Sequence, residues 1–194
     1  MNFEQIQQHI EALKDVVDVQ INENQRVIKF GRVGSVKFKK AAPAIVIMVL
    51  AIVSGCLHLT VGKIIVALVI VALACWSLVD VFSVVVVDIN RKKLSIDLFN
   101  ITLKDFPMDE YRGALVYSLT LNGRQPTPKE FCVKFWHKGK RKEIHLADLL
   151  AETEAGSREN LAHVAEIWKF AVDLMQTTDY ETEYQLTARN AIFA

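Results

Sequence analysis

Two almost unbroken apolar runs between Ala41 and Phe82 constrain this chain more than any other stretch. The first, Ala41 to Leu57, departs from large apolar side chains and alanine only at Pro43, Ser54, Gly55 and Cys56. The second, Ile64 to Val79, carries no charge and one hydroxyl, Ser77. The segment His58-Leu59-Thr60-Val61-Gly62-Lys63 divides them. A helix rising ~1.5 Å per residue gives each run about the length needed to cross ~30 Å of hydrocarbon. Each Leu, Ile and Val favours insertion by roughly 0.3–0.6 kcal/mol. A pair of helices buried in a soluble core is the other reading, but core helices normally keep a polar stripe and these runs keep none. The expectation is a transmembrane helical hairpin over residues 41–82.

Charge placement extends that expectation. Lys29, Arg32, Lys37, Lys39 and Lys40 precede the first run, no acid occurs between Glu23 and Asp80, and Arg91, Lys92 and Lys93 follow the second run. Lys63 alone lies between the runs. By the positive-inside rule both ends face the cytoplasm. The chain then reads as a multi-pass protein of the bacterial inner (cytoplasmic) membrane with the lipid bilayer as a partner. Pro43 falls in a first helical turn, where its missing N–H costs little. Ala51 and Gly55 on one helix, and Ala67, Ala74 and Ser77 on the other, supply small positions for close approach. Asp80, the one acid near the proposed bilayer, is expected to form an interfacial ion pair with Lys40.

Outside the runs the composition is ordinary, and the net charge of +1 argues against wholesale nucleic-acid binding. The opening Met-Asn-Phe-Glu-Gln lacks the pattern of a cleavable signal peptide. Cys56, Cys75 and Cys132 show no CxxC spacing and read as small apolar side chains in a reducing compartment.

Residues 1–40 read as an amphipathic helix, with Phe3, Ile6, Ile10, Leu13 and Val17 on one face, then two strands, 17–21 and 26–30. The helix either packs on the chain's own soluble part or docks elsewhere; its acidic and amidic face speaks against lipid headgroups. Residues 83–176 alternate as strands before ending in a helix. A loop over Asn90–Lys93 sets Ile89 against Leu94, Val87 against Ile96 and Val85 against Leu98. Residues 103–108 form a short extended piece interrupted by Pro107, so an edge or a bend, and residues 114–121 a strand. The clearest hairpin joins 131–136 to 141–146. Gly139-Lys140 as a type II′ turn sets Phe135 against Ile144 and Val133 against Leu146. Leu161, Val164, Ala165, Trp168, Ala171, Val172 and Met175 follow helical spacing, with Ser157 as N-cap. Residues 177–194 read as a flexible tail.

The run Val84–Leu98, the short strand Leu103–Met108 before Asp109-Glu110-Tyr111, the hairpin Phe131–Leu146 and the helix Leu161–Met175 resemble bacterial pleckstrin-homology-like (PH-like) domains attached to a two-helix anchor. The order of helical hairpin, strands and closing helix is also similar to the plastid photosystem I assembly factor. The resemblance covers about residues 40–175 and is architectural. It implies an α+β membrane protein, with a cytoplasmic PH-like antiparallel β-barrel or sandwich closed by a C-terminal helix. It also implies non-catalytic work as an adaptor, scaffold or assembly factor with protein partners.

Catalytic constellations are not legible. His9, His58, His137, His145 and His163 lack HxxxH or HExxH spacing, and Lys134 opposite His145 makes a pair but not a metal set. Gly31-Arg32-Val33-Gly34 lacks the remaining features of a phosphate loop, and no GxSxG occurs. The chain is expected to be no enzyme and to need no cofactor or metal. The sharpest surface feature is the basic turn with Lys138, Lys140, Arg141 and Lys142, a contact for anionic headgroups or a partner, or else a solvated hairpin tip. Trp136 beside it is a candidate partner anchor, with cover by the N-terminal elements the favoured reading. The functional expectation is therefore a membrane-anchored adaptor. An anionic-lipid-binding module and a small subunit of a membrane transport or secretion complex are the alternatives.

Overall fold

The computed structural model describes residues 3–24, 26–57, 61–120, 126–176 and 183–188; the side chains of residues 3, 35, 36, 55–57, 63, 80, 120 and 183–188 lie outside the description. The chain is α+β and divides into two units, Met1–Gly31 with Val84–Ala194, and Arg32–Ser83.

In the smaller unit, α2 (Gly34–Leu57) packs on α3 (Val61–Phe82). Ala51 and Ala74 are buried, and Ser77 Oγ donates to the Ala74 carbonyl at 2.8 Å. Large side chains such as Leu50, Leu68, Leu73 and Trp76 point outward and stay exposed. The transmembrane expectation is overturned here: among the described residues no helix is long and apolar enough to cross a membrane. α2 takes up Lys37, Lys39 and Lys40 in its opening turns. The apolar run of α3, residues 64–79, rises only ~24 Å against the ~30 Å required. The multi-pass inner-membrane placement, and the cytoplasmic assignment of both ends that rested on it, are therefore not supported. The Asp80–Lys40 ion pair involves a side chain outside the described residues.

The larger unit holds two sheets. β1 (Val17–Asn22), β2 (Val27–Arg32), β3 (Val84–Asp88), β4 (Lys93–Leu98) and β5 (Ile101–Pro107) lie in that order in the first. The second has the order β8 (Lys140–Asp148), β7 (Thr127–His137), β6 (Tyr111–Thr120), β9 (Glu183–Ala188). β9 runs parallel to β6, within the stretch expected to be a flexible tail. The described strands thus make two sheets, and no pairing among them closes a barrel. With the N-terminal strands in one sheet and β9 in the other, the arrangement is only weakly compatible with a PH-like outline.

Registers follow from the turns. Val85 faces Ile96 and Val87 faces Leu94. The loop closes one residue early because Asp88 Oδ1 accepts from the Arg91 N–H at 2.9 Å and Lys92 sits at φ 47°. Each partner moves by two residues, so every side chain keeps its expected face.

Within this larger unit one apolar core joins the two sheets to the first and last helices. Ile6 and Leu13 of α1 (Phe3–Leu13) are fully buried in it, and His9 Nδ1 meets His163 Nδ1 of α4 (Glu154–Met175) at 2.8 Å. α4 starts earlier than its apolar spacing suggests. Thr153 is the N-cap, accepting from the Gly156 N–H at 3.0 Å. Ser157 is buried one turn inside, where its Oγ accepts from the Ala151 N–H at 2.9 Å and donates to the Thr153 carbonyl at 3.2 Å. Trp168 of α4 donates from Nε1 to the buried Tyr111 hydroxyl at 2.9 Å, which fastens the helix to the second sheet.

Candidate anion-binding cleft

β7 and β8 build the basic turn. His137 pairs with Lys140, so the turn residues are Lys138 and Gly139, at φ 50° and 74°. Positive φ at both positions is type I′ geometry, which matches the twist of the strands and which Gly139 adopts without a Cβ penalty. The expected turn lay one residue later. Val133 accordingly faces Ile144, Phe135 faces Lys142, and His145 lies opposite Cys132 rather than Lys134.

Strand alternation divides the basic cluster. Trp136 and Arg141 pair on the outer face, as do Lys134 and Glu143. Arg141 Nη2 lies 2.9 Å from Glu143 Oε1, and the Tyr117 hydroxyl donates to Glu143 Oε2 at 2.5 Å. That hydrogen bond is the main reason the Tyr117 phenol is pushed up to about 12. Trp136 is 52% exposed, so the expected cover by the N-terminal elements does not form. Lys140 is exposed at the tip.

Lys138 and Lys142 instead line a cleft of about 360 Å³ with His137, facing Leu103, Lys104, Asp105 and Phe106 of β5. Asp105 is the one carboxylate on this lining, and Glu110 stands behind His137. Glu110, in the 3-10 turn Met108–Glu110, meets His137 Nδ1 at 2.5 Å through Oε2, and Asp105 Oδ2 lies 4.0 Å from Lys93 Nζ. Lys104, Lys138 and Lys142 have no carboxylate partner among the described residues. The Phe106 ring packs edge-on to His137 at 5.2 Å and against Phe135 at 5.5 Å, which ties the cleft wall to the core. Three ammonium groups with flexible stems around a small concavity can hold a multiply charged anion.

Sequence reasoning singled out Lys138 and Lys142 but missed Lys104, His137 and Glu110 as their neighbours. Lys104 sits in an alternating strand that shows no sign of which distant segment it meets.

Among the described residues, no three His, Cys, Asp or Glu side chains gather where they could hold a metal ion. Cys132 is buried, and burial, followed by the Glu130, Glu143 and Asp148 charges, pushes its thiol up to about 12. A thiol reagent at mildly alkaline pH should modify the exposed Cys75 and leave Cys132 untouched until denaturant is added. Peptide mass mapping reads the result, and equal labelling of both in the native protein would contradict the burial.

Fold and cleft together define an α+β chain whose two-sheet unit presents a cationic concavity. No family model, curated protein or solved structure matches the chain.

Proposed function

We propose that this chain is a non-catalytic binding module, an adaptor or scaffold, whose two-sheet unit takes an anionic group of its partner in the cleft between β5 and the β7–β8 turn. One observation carries the reading: Lys104, Lys138 and Lys142 come from two different sheets, line one concavity and lack carboxylate partners among the described residues. Lysines placed only for solubility are expected to be spread over a surface and interspersed with acids. Here three lysines share the lining with one carboxylate, Asp105, and Glu110 is paired with His137, so the local charge favours an outside anion.

Pyrophosphate is a suitable probe, titrated calorimetrically into the full chain at low ionic strength. Saturable binding that weakens with salt is expected. The double variant Lys138→Gln, Lys142→Gln should weaken it on the order of 100-fold, since each charge-assisted contact is worth about 1.5–3 kcal/mol. Arg141→Gln, on the opposite face, should change it little. Absence of binding, or equal loss from either variant, would sink the reading.

A further inference from the structure

We propose that β5 is a docking edge, along which an extended acidic segment of a partner protein adds as a further strand with its carboxylates directed to the cleft lysines. The inference rests on the anion-binding reading of the cleft and names the kind of partner that brings the anion.

Among the described residues β5 is the outermost strand of the five-stranded sheet. An antiparallel strand bonded on one side only leaves every second N–H and C=O pointing away from its neighbour, a ready template for another extended chain. Its first five residues, 101–105, are all exposed, the longest such run among the outer strands whose side chains are described. Edges of this kind are usually blunted by charge, proline or a short length. β5 carries Lys104, Asp105 and Pro107 toward one end, but its other end is apolar. Ile101 is 67% exposed, Leu103 45%, and Phe99 in the preceding turn 77%.

A bulge adds to this. Ile96 pairs with Lys104 and Asp97 with Thr102, so Leu103 has no cross-strand partner. Bulges re-aim side chains, and Leu103 here lines the cleft beside Lys104. An added strand would thus meet, in one place, the outward main-chain groups of β5, an apolar contact at Leu103 and three lysines. Main-chain bonds supply affinity in such an arrangement and the flanking side chains supply selectivity. Charge complementarity sets the partner as acidic and extended. A lipid surface would use the lysines and the apolar tip but not the main-chain edge.

The test uses the full chain and a capped hexapeptide alternating aspartate with leucine, followed by amide hydrogen exchange. Expected results are saturable binding, slowed exchange at residues 101–105, and at least a tenfold loss when alternate peptide amides are N-methylated, which removes donors and keeps charge. The variant Lys104→Gln, Lys138→Gln, Lys142→Gln should also lose binding. The proposal is overturned if the N-methylated peptide binds equally well, if β5 exchange is unchanged, or if anionic phospholipid vesicles bind while the peptide does not. Pyrophosphate binding without peptide binding removes the docking edge and leaves the anion cleft; loss of both removes both.

Discussion

Trp168→Ala should destabilise the larger unit by about 3–5 kcal/mol, the range for truncating a buried aromatic to alanine. The ring is 2% exposed, packs 5.6 Å from Tyr111 and donates the hydrogen bond that holds α4 to β6. A domain's whole stability is about 5–15 kcal/mol, so this loss takes a large share of it. Urea unfolding followed by far-UV circular dichroism measures it. Tyr111→Phe serves as a companion: it leaves the Trp168 Nε1–H unpaired in the core and should cost about 1–3 kcal/mol. A Trp168→Ala loss no greater than that of Tyr111→Phe would mean the indole contributes a hydrogen bond but little packing.

Phe135→Ala is expected to lower stability by a similar ~3–5 kcal/mol and to reach the cleft as well. Phe135 is 1% exposed, and its ring lies 5.5 Å from Phe106 and 5.8 Å from Tyr111. Phe106 is itself part of the cleft wall and packs on His137. Truncation therefore removes the support behind β5 and the turn without altering a charge. Pyrophosphate affinity, measured at a temperature where the variant is still folded, should fall with stability. A destabilised variant with unchanged affinity would show that the lysines are positioned by the turn alone.

Strand faces were legible in the sequence even where pairings were not. Val85, Val87 and Leu94 are buried in the first sheet, and Val133, Phe135 and Ile144 in the second, because alternation with period two is written into neighbouring residues. Both hairpins nevertheless pair two residues away from the expected partner. Turn type depends on φ at single positions, and nothing in the local pattern marked Lys92 or Lys138 as left-handed. The start of α4 was misplaced for a related reason: two hydroxyl residues compete there, and burial beneath the Leu149–Ala151 segment makes Ser157 an internal bridge while Thr153 caps. The membrane expectation failed differently. Hydropathy locates apolar runs along the chain, but α2 opens with the lysine-bearing turns around Lys37, Lys39 and Lys40, and among the described residues no helix is long and apolar enough to cross a membrane.

Residue order alone settled the α+β character, the two long helices, the faces of the strands and the presence of a basic turn, since each depends on side chains a few positions apart. It could not say that Lys104 shares a cleft with Lys138 and Lys142, that Glu143 pairs with Arg141, or that β5 is the outermost of the described strands in its sheet. Those arrangements arise only when distant segments are brought together by the common core. The free energy that joins them is non-directional apolar burial, which names no partners in advance.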